Sequence, residues 1–554
     1  MTLTLSSAIR ILITLALAVP AFWLTMRYNM HMFQLNVYIN GEQRTWIRRN
    51  FRLQWILVFA MGLGVIRMLA SFTGSGVLIW ALDILGWITL GVIILVYRLM
   101  REMSQKKKLV FTARVKRMVA TIIILCVLIM AAALFGGGPE MLPGALVFIA
   151  GSQLWMNMLA RTINQPVEKG VNQHYINDAK RILKSNPDLT IIGVTGSYGK
   201  TSVKFFLQTL LQQKYSVLVT PESYNTPMGV VITIRKFMKP SHQIFVCEMG
   251  ARYVGEIKEI CDLVHPHHGV ITSIGPQHLD TFGSLDNIKK TKFELADALP
   301  DGGMLFLNGD NSYIAEQLLS NTERYDDLAK VFYYAEEDPE GDAPGASAEA
   351  YTFANGYHAR DIKVSNLGTE FTVDSPYGET ETYQMKLIGA HNVINVMGAI
   401  AVANMFGISL SDLKVPVRRL RPVKHRMEMK ESGDVTIIDD AFNSNPVGSR
   451  AAVETLALFD GIRILVTPGM VELGEDEAEY NRKFGTYAAD CCDYILLVGR
   501  KHTEPIREGV LSKGFPEKKC VVFDKVEEAI SYAYQIKGEG HKYILLENDL
   551  PDNY

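Results

Sequence analysis

Apolar positions along the chain follow two regimes that change over near residue 165. Before it they run almost unbroken for about 20 residues at a time, the length of helix that crosses a bilayer. Such runs cover Ser7–Met26, Leu53–Phe72, Gly74–Tyr97, Met118–Phe135 and Met141–Ala160, which predicts an α-helical membrane region of about five transmembrane helices. After it, short β-rich runs alternate with amphipathic helical segments. Strands are expected at Tyr215–Thr220, Gln243–Glu248, Gly269–Ile274 and Met304–Leu307, with helices such as Ser202–Lys214 and Asn287–Leu299 between them. That alternation predicts an α/β, doubly wound parallel sheet with ligands at the carboxyl ends of its strands. Further strands at Val435–Ile438, Arg463–Val466, Tyr494–Val498, Val521–Phe523 and Tyr543–Leu546 predict a Rossmann-like C-terminal α/β domain. The expected domains are therefore residues 1–165, 166–414 and 415–554, with a β insertion at about 351–387. Ala335–Ala350, acidic and rich in small residues, reads as a solvated loop.

Charge adds an orientation. Arg98, Arg101, Lys106, Lys107, Lys108, Arg114, Lys116 and Arg117 crowd the link between the third and fourth spans. Arg27, Arg44, Arg48, Arg49 and Arg52 crowd the link between the first and second. The turns near Thr73 and Gly136–Glu140 carry neither Lys nor Arg. The positive-inside rule then places both basic loops and everything after residue 160 in the cytoplasm. The expected location is the plasma membrane, multi-pass, with membrane lipids as neighbours. Arg67 and Asp83 interrupt the second and third spans; the expectation is that one or both reach toward an interface, with a buried pair as the alternative. With 56 basic against 58 acidic residues, no global field points to nucleic acid. The six cysteines form no C-x-x-C pair and read as reduced thiols.

The chemistry begins at Thr190–Ser202, TIIGVTGSYGKTS: an apolar strand, a glycine-rich turn, then Lys-Thr opening a helix. Gly196 and Gly199 let backbone N–H groups converge on an anion, and the helix N-terminus adds partial positive charge. Lys200 can reach terminal phosphates, and the Thr201 hydroxyl can meet a magnesium ion. Strict phosphate-loop spacing asks for glycine at Val194; Gly193 is one residue early, so the loop is a variant. Further candidates fall at strand ends. Glu248 closes an apolar strand and can hold magnesium directly or through water. His278 follows another and can serve as ligand, acid/base group or plain loop residue. Lys292 lies on a helix that Ser284 is placed to cap, while Lys289 and Lys290 read as a solvated face. Arg426 offers a planar fork for phosphate oxygens, and Asp440 ends a C-terminal strand.

In order, GVTGSYGKTS, TPESYNTPMGV, EMGA, QHLDTFGS with Lys292, GAHNVINV, HRME, DDAFNSNP and GMVELGE resemble the Mur ligases, ATP-dependent amide-forming enzymes of cell-wall synthesis. Several of these resemble the branch that adds D-alanyl-D-alanine to a muramoyl tripeptide. The resemblance implies that Gly196, Ser197, Gly199, Lys200, Thr201 and Ser202 bind the phosphates of ATP. It implies that Thr201, Glu248, His278 and Lys292 serve magnesium, Lys292 as a CO₂-derived carbamate, with Lys200, His278 and Lys292 the catalytic set. Asn392, Asn395, Arg426 and Asp440 would contact nucleotide, and Asn225 and Thr226 the acceptor. The expected reaction turns a carboxylate into an acyl phosphate that an amine attacks.

One departure matters. Soluble wall-precursor ligases begin with a domain that grips a UDP-sugar; here the apolar spans stand in its place. The acceptor is then a small-molecule or lipid-linked envelope precursor, and the amine an amino acid or dipeptide. The alternatives are a ligase for another amide polymer, such as a polyglutamate-type capsule, or a phosphate-loop ATPase coupled to transport.

Overall fold

Each strand of the α/β part grows from a short run of Val, Ile, Leu and Phe, residues that fit a pleated surface buried on both faces. The computed structural model describes residues 4–102, 108–335, 356–442 and 444–549. Most of the acidic loop, the start of the β insertion, Lys106, Lys107, Asn443 and the last residues of the chain lie outside that set. Two units divide the chain, 1–173 and 174–550.

In the first unit, Leu5–Leu35, Gly76–Met100 and Ala113–Gly137 are long and apolar enough to cross a membrane. Two bent pairs raise the number to five if each counts as one span: Asn40–Arg49 with Gln54–Ala70, bent by 101°, and Pro139–Gly151 with Gln153–Lys184, bent by 77°. The continuous run expected over Met141–Ala160 is thus broken at Ser152. Ser152 Oγ and Gln153 Nε2 both donate to the carbonyl of Ile149, at 3.0 and 2.8 Å, taking an acceptor the helix would otherwise use. Close backbone contact also pins the short helix: a Cβ on Gly64 would lie 2.5 Å from the Phe148 nitrogen, and one on Gly151 2.5 Å from the Leu57 carbonyl.

Arg67 and Asp83 correct a second expectation, because they turn inward and meet. Arg67 Nε lies 2.5 Å from Asp83 Oδ1, with the two residues only 1% and 3% exposed. Arg10 completes the group, its Nη1 3.1 Å from Asp83 Oδ2 and its Nη2 2.7 Å from Glu140 Oε2. Arg67 Nη1 also donates to the Glu140 carbonyl at 3.0 Å. Charges removed from water need such mutual pairing.

The second unit holds two sheets. The larger contains β1 (Thr190–Thr195), β2 (Val217–Val219), β3 (Ile244–Glu248), β4 (His268–Ile271), β5 (Met304–Asn308), β6 (Ala329–Tyr334), β7 (Tyr357–Ser365), β8 (Gly368–Asp374) and β9 (Thr380–Met385). Their order is β2-β3-β1-β4-β5-β6-β7-β8-β9. β1 lies between β3 and β4, parallel to both. The order in which strands are added to the sheet therefore reverses there, and the loop after β1 opens into the crevice where α/β sheets bind ligands. The expected insertion is the antiparallel run β7–β9, and it extends the main sheet instead of standing apart, since β7 pairs parallel with β6.

The smaller sheet holds β10 (Glu428–Ser432), β11 (Val435–Asp440), β12 (Ile462–Thr467), β13 (Tyr494–Val498), β14 (Cys520–Phe523) and β15 (Lys542–Glu547), in the order β10-β11-β15-β12-β13-β14. The last strand thus runs through the centre, setting Asp440 opposite Glu547. All six cysteines are free thiols.

Candidate active site

The loop after β1 needs its glycines. Gly196 and Gly199 take φ of +151° and +79°, and a Cβ would fall 2.1 Å from Thr272 Oγ1 at the first and 2.2 Å from Asn395 Oδ1 at the second. Any side chain there would both strain the backbone and collide with Thr272 or Asn395. The Ser197 hydroxyl donates to the Gly275 carbonyl at 3.0 Å, tying the loop to the segment that carries His278. Lys200 curls over the loop, Nζ donating to the carbonyls of Gly196 and Ser197 at 2.7 and 2.9 Å. Burial lowers its pKa to about 8, against the pull of Glu248 and with the push of Arg426.

Glu248 gathers the other groups. Thr201 Oγ1 and Asn225 Nδ2 donate to its Oε1 at 3.1 and 3.0 Å. Lys204 Nζ lies 2.8 Å from Oε2, both side chains closed to solvent. Burial alone would raise the Glu248 pKa, but Lys204 and Lys200 outweigh it and hold the group below the ordinary carboxylate value. Lys204 was not among the residues the sequence pointed to. Its signal was there, one helical turn past Lys200 on the same helix, Lys200–Leu211.

His278 takes a left-handed φ of +52° and presents Nδ1 to Glu472 Oε2. Leu279 N donates to the Glu472 carbonyl at 3.0 Å and Arg252 Nη2 to Glu472 Oε1 at 3.2 Å, so one residue of the GMVELGE stretch clasps the central-sheet loop. Glu472 is the second residue that the sequence reading missed. Lys292, only 2% exposed, stands on helix Leu285–Phe293, whose Ser284 cap accepts from Asn287 N at 3.2 Å as expected. Burial, then the charge of Lys200, drive the Lys292 pKa well below its usual value. The expected solvated face holds for Lys290, which is exposed, but Lys289 is buried and paired with Asp286 at 2.8 Å and Glu316 at 3.1 Å.

Around the loop, Asn395 Nδ2 donates to the His391 carbonyl at 3.0 Å and Asn392 Nδ2 to that of Ile388 at 2.9 Å. Ser202 is buried on the helix that the loop opens. From the turn before β10, Arg426 Nη2 comes within 3.5 Å of Thr201 Oγ1, its guanidinium 4.7 Å from the Phe442 ring centre. Asp440 Oδ1 accepts from Met427 N at 3.1 Å; burial, reinforced by Glu547, raises its pKa to about 7. Thr226 caps helix Pro227–Phe237, accepting from Gly229 N at 3.3 Å. His425, Glu428 and Asp439 offer ligand atoms within 4.8 Å of one another, but Lys430 Nζ already lies 2.5 Å from Asp439 and 3.3 Å from Glu428, which disfavours a metal there.

Comparison with known proteins identifies the family and the fold. Residues 194–403 match the Mur ligase middle domain, and residues 425–546 match the Mur ligase, glutamate ligase domain. The chain is similar to the UDP-N-acetylmuramoyl-tripeptide–D-alanyl-D-alanine ligase of Escherichia coli, 30% identical over 336 residues that are 60% of this chain and 69% of that protein. The Bacillus subtilis enzyme of the same name is 31% identical over 314 residues, 56% of this chain and 63% of that one. Among solved structures, MurF from Acinetobacter baumannii shares the fold with a TM-score of 0.59 and 24% identity, over 69% of this chain and 78% of that one. MurF from Thermotoga maritima, solved in complex with ADP, gives 0.57 and 24% over 68% and 80%.

Proposed function

The chain belongs to the Mur ligase family of ATP-dependent, amide-forming ligases, and from that premise we propose that it is a membrane-anchored member acting on a cell-envelope precursor. The named reaction we favour is addition of D-alanyl-D-alanine to a muramoyl tripeptide, as in the relatives' names. What carries the proposal is the meeting of Lys200, Thr201 and Glu248 at the carboxyl ends of β1 and β3 with Arg426 from the turn before β10. Anchoring is supported by the three long apolar helices and by the Arg and Lys concentrated between the first four spans. That orientation puts the ligase domains on the cytoplasmic side, where ATP is.

The residues present suit Mg-ATP: a turn whose two glycines leave no room for a Cβ, a lysine whose Nζ donates to that turn's carbonyls, and a hydroxyl beside a buried carboxylate. ATP supplies the phosphoryl group that turns the acceptor carboxylate into an acyl phosphate, and magnesium offsets the charge that builds during transfer. Gly196, Ser197, Gly199, Lys200 and Ser202 hold the phosphates. Thr201, Glu248 and His278 hold the metal. Asn392, Asn395, Arg426 and Asp440 hold the rest of the nucleotide. Lys292, whose pKa burial drives well below its ordinary value, is suited to attack CO₂: its nitrogen gains a bond to carbon as one C–O π pair moves to oxygen, loses a proton, and becomes a carbamate anion that would support the metal. Asn225 and Thr226 face the acceptor. The Glu472 clasp on His278 keeps the two sheets close and limits hydrolysis of the activated carboxylate.

The test uses the full chain in detergent with Mg-ATP and D-alanyl-D-alanine. Acceptors are UDP-linked muramoyl tripeptide, its lipid-linked form, and glutamate oligomers. A new amide, matched by an equal amount of ADP, is expected with a muramoyl acceptor. ADP formation with no amide from any pair would overturn the proposal, and amide on glutamate oligomers alone would move it to another polymer.

A further inference from the structure

Five of the nine residues from Arg418 to Arg426, RRLRPVKHR, are Arg or Lys, in a chain whose net charge is only −2. This segment forms one wall of a cavity of about 630 Å³, and helix Lys200–Leu211 forms the other. Arg419, Arg421, Lys424 and Arg426 line it, against one carboxylate, Glu222. Among the described residues, no carboxylate pairs with Arg419, Arg421 or Lys424, all three of which are exposed. Phe205 and Phe442 supply an aromatic surface beside the cations. The wall runs from Thr201 to Thr209, about 12 Å at the helical rise. The cavity shares Thr201 and Arg426 with the expected nucleotide set, while Gly199, Lys200, Asn392, Asn395 and Asp440 are not part of its lining, so it opens off the nucleotide path toward Arg419, Arg421 and Lys424.

Unpaired guanidinium groups converging on one cavity are suited to oxyanions, which they grip through paired N–H donors. We propose that this cavity holds the diphosphate of a sugar-diphosphate-linked acceptor, with Phe205 and Phe442 against the adjoining base, sugar or lipid-proximal group. The inference rests on the ligase reading. The relatives' names specify a UDP-linked acceptor, the family match starts only at residue 194, and the residues before it are largely apolar helices. The cavity lies within the stretch that the two family matches span and offers such an acceptor a grip there. UDP-linked and lipid-linked acceptors share the diphosphate, and kinetics with each separates them.

The experiment compares the full chain with Arg419→Ser/Arg421→Ser/Lys424→Ser, three exposed changes compatible with folding. KM for a diphosphate-linked acceptor is expected to rise at least about tenfold, equivalent to about 1.4 kcal/mol, with kcat and KM for ATP unchanged. The acceptor whose KM rises more, UDP-linked or lipid-linked, is the native source. In parallel, inorganic pyrophosphate is titrated calorimetrically into each protein with the phosphate loop saturated by magnesium and a non-hydrolysable ATP analogue. Binding by the parent chain and its loss in the variant support the assignment. Unchanged acceptor KM, a rise confined to ATP, or a rise confined to glutamate oligomers would overturn it. If no acceptor yields an amide, the ligase reading fails, while pyrophosphate binding still decides the cavity on its own.

Discussion

The helical unit and the α/β unit both bury charged side chains, yet one closes its charges on themselves and the other leaves them unbalanced. In the first, Arg10 and Arg67 face Asp83 and Glu140, two cations against two carboxylates. In the second, Lys200, Lys204 and Arg426 surround Glu248, and Lys292 adds another buried amine nearby. A neutral network acts as a bolt between helices, since each desolvated charge already has its partner. A cationic surplus is suited to an anion; the pKa values of Lys200 and Lys292 are lowered first by burial and then by neighbouring cations, Arg426 for the one and Lys200 for the other. The difference is the one expected between charges that hold a fold and charges that the proposed reaction would use.

The largest expected effect breaks the second group. Lys292→Ala should cut amide formation by about 10³-fold, with partial rescue by small carboxylates such as acetate. Unchanged rates would remove Lys292 from the mechanism. Next, Arg67→Ala should cost about 3 kcal/mol of stability by leaving Asp83 underpaired, read by thermal unfolding in detergent. Its kcat should stay at the parent value; a fall in kcat at full stability would mean that the helical network does more than hold helices.

A subtler effect lies in pH. The folded Asp440 carboxyl has its pKa raised from 3.8 to about 7, chiefly by burial. The folded state therefore binds this proton more tightly than the unfolded state, and stability from this group falls as pH climbs from about 4 to about 7. Asp440→Asn should flatten that fall in denaturant titrations across the window, and an unaltered slope would reject the assignment. The smallest effect tests Thr226. Thr226→Ala should cost about 1 kcal/mol through the lost helix cap. Acceptor KM rising as well would give Thr226 a binding role beyond the cap.

The sequence reveals local order well and long-range pairing poorly. β13 appears with its expected bounds because Tyr494–Val498 is an uninterrupted apolar run between polar turns. The glycine-rich turn after β1 and the Ser284 cap were legible for the same reason, since each is set within a few neighbouring residues. The clasp from Glu472 to His278 spans 194 positions, and no local pattern announces it. Arg10 and Glu140 escaped notice because each lies at the edge of an apolar run, where a charge is ordinary. The break at Ser152 depends on the approach of another helix to Gly144 and Gly151, which hydropathy along one segment does not register.

The account turns on whether the acceptor carboxylate itself takes the phosphoryl group. Supplying an acceptor with heavy-oxygen label in that carboxylate, and weighing the phosphate released by the full chain with Mg-ATP and amine, tests it most directly. The account predicts one labelled oxygen in each phosphate, carried over as the amine displaces the acyl phosphate. Phosphate without label, released while ATP is consumed, would contradict it.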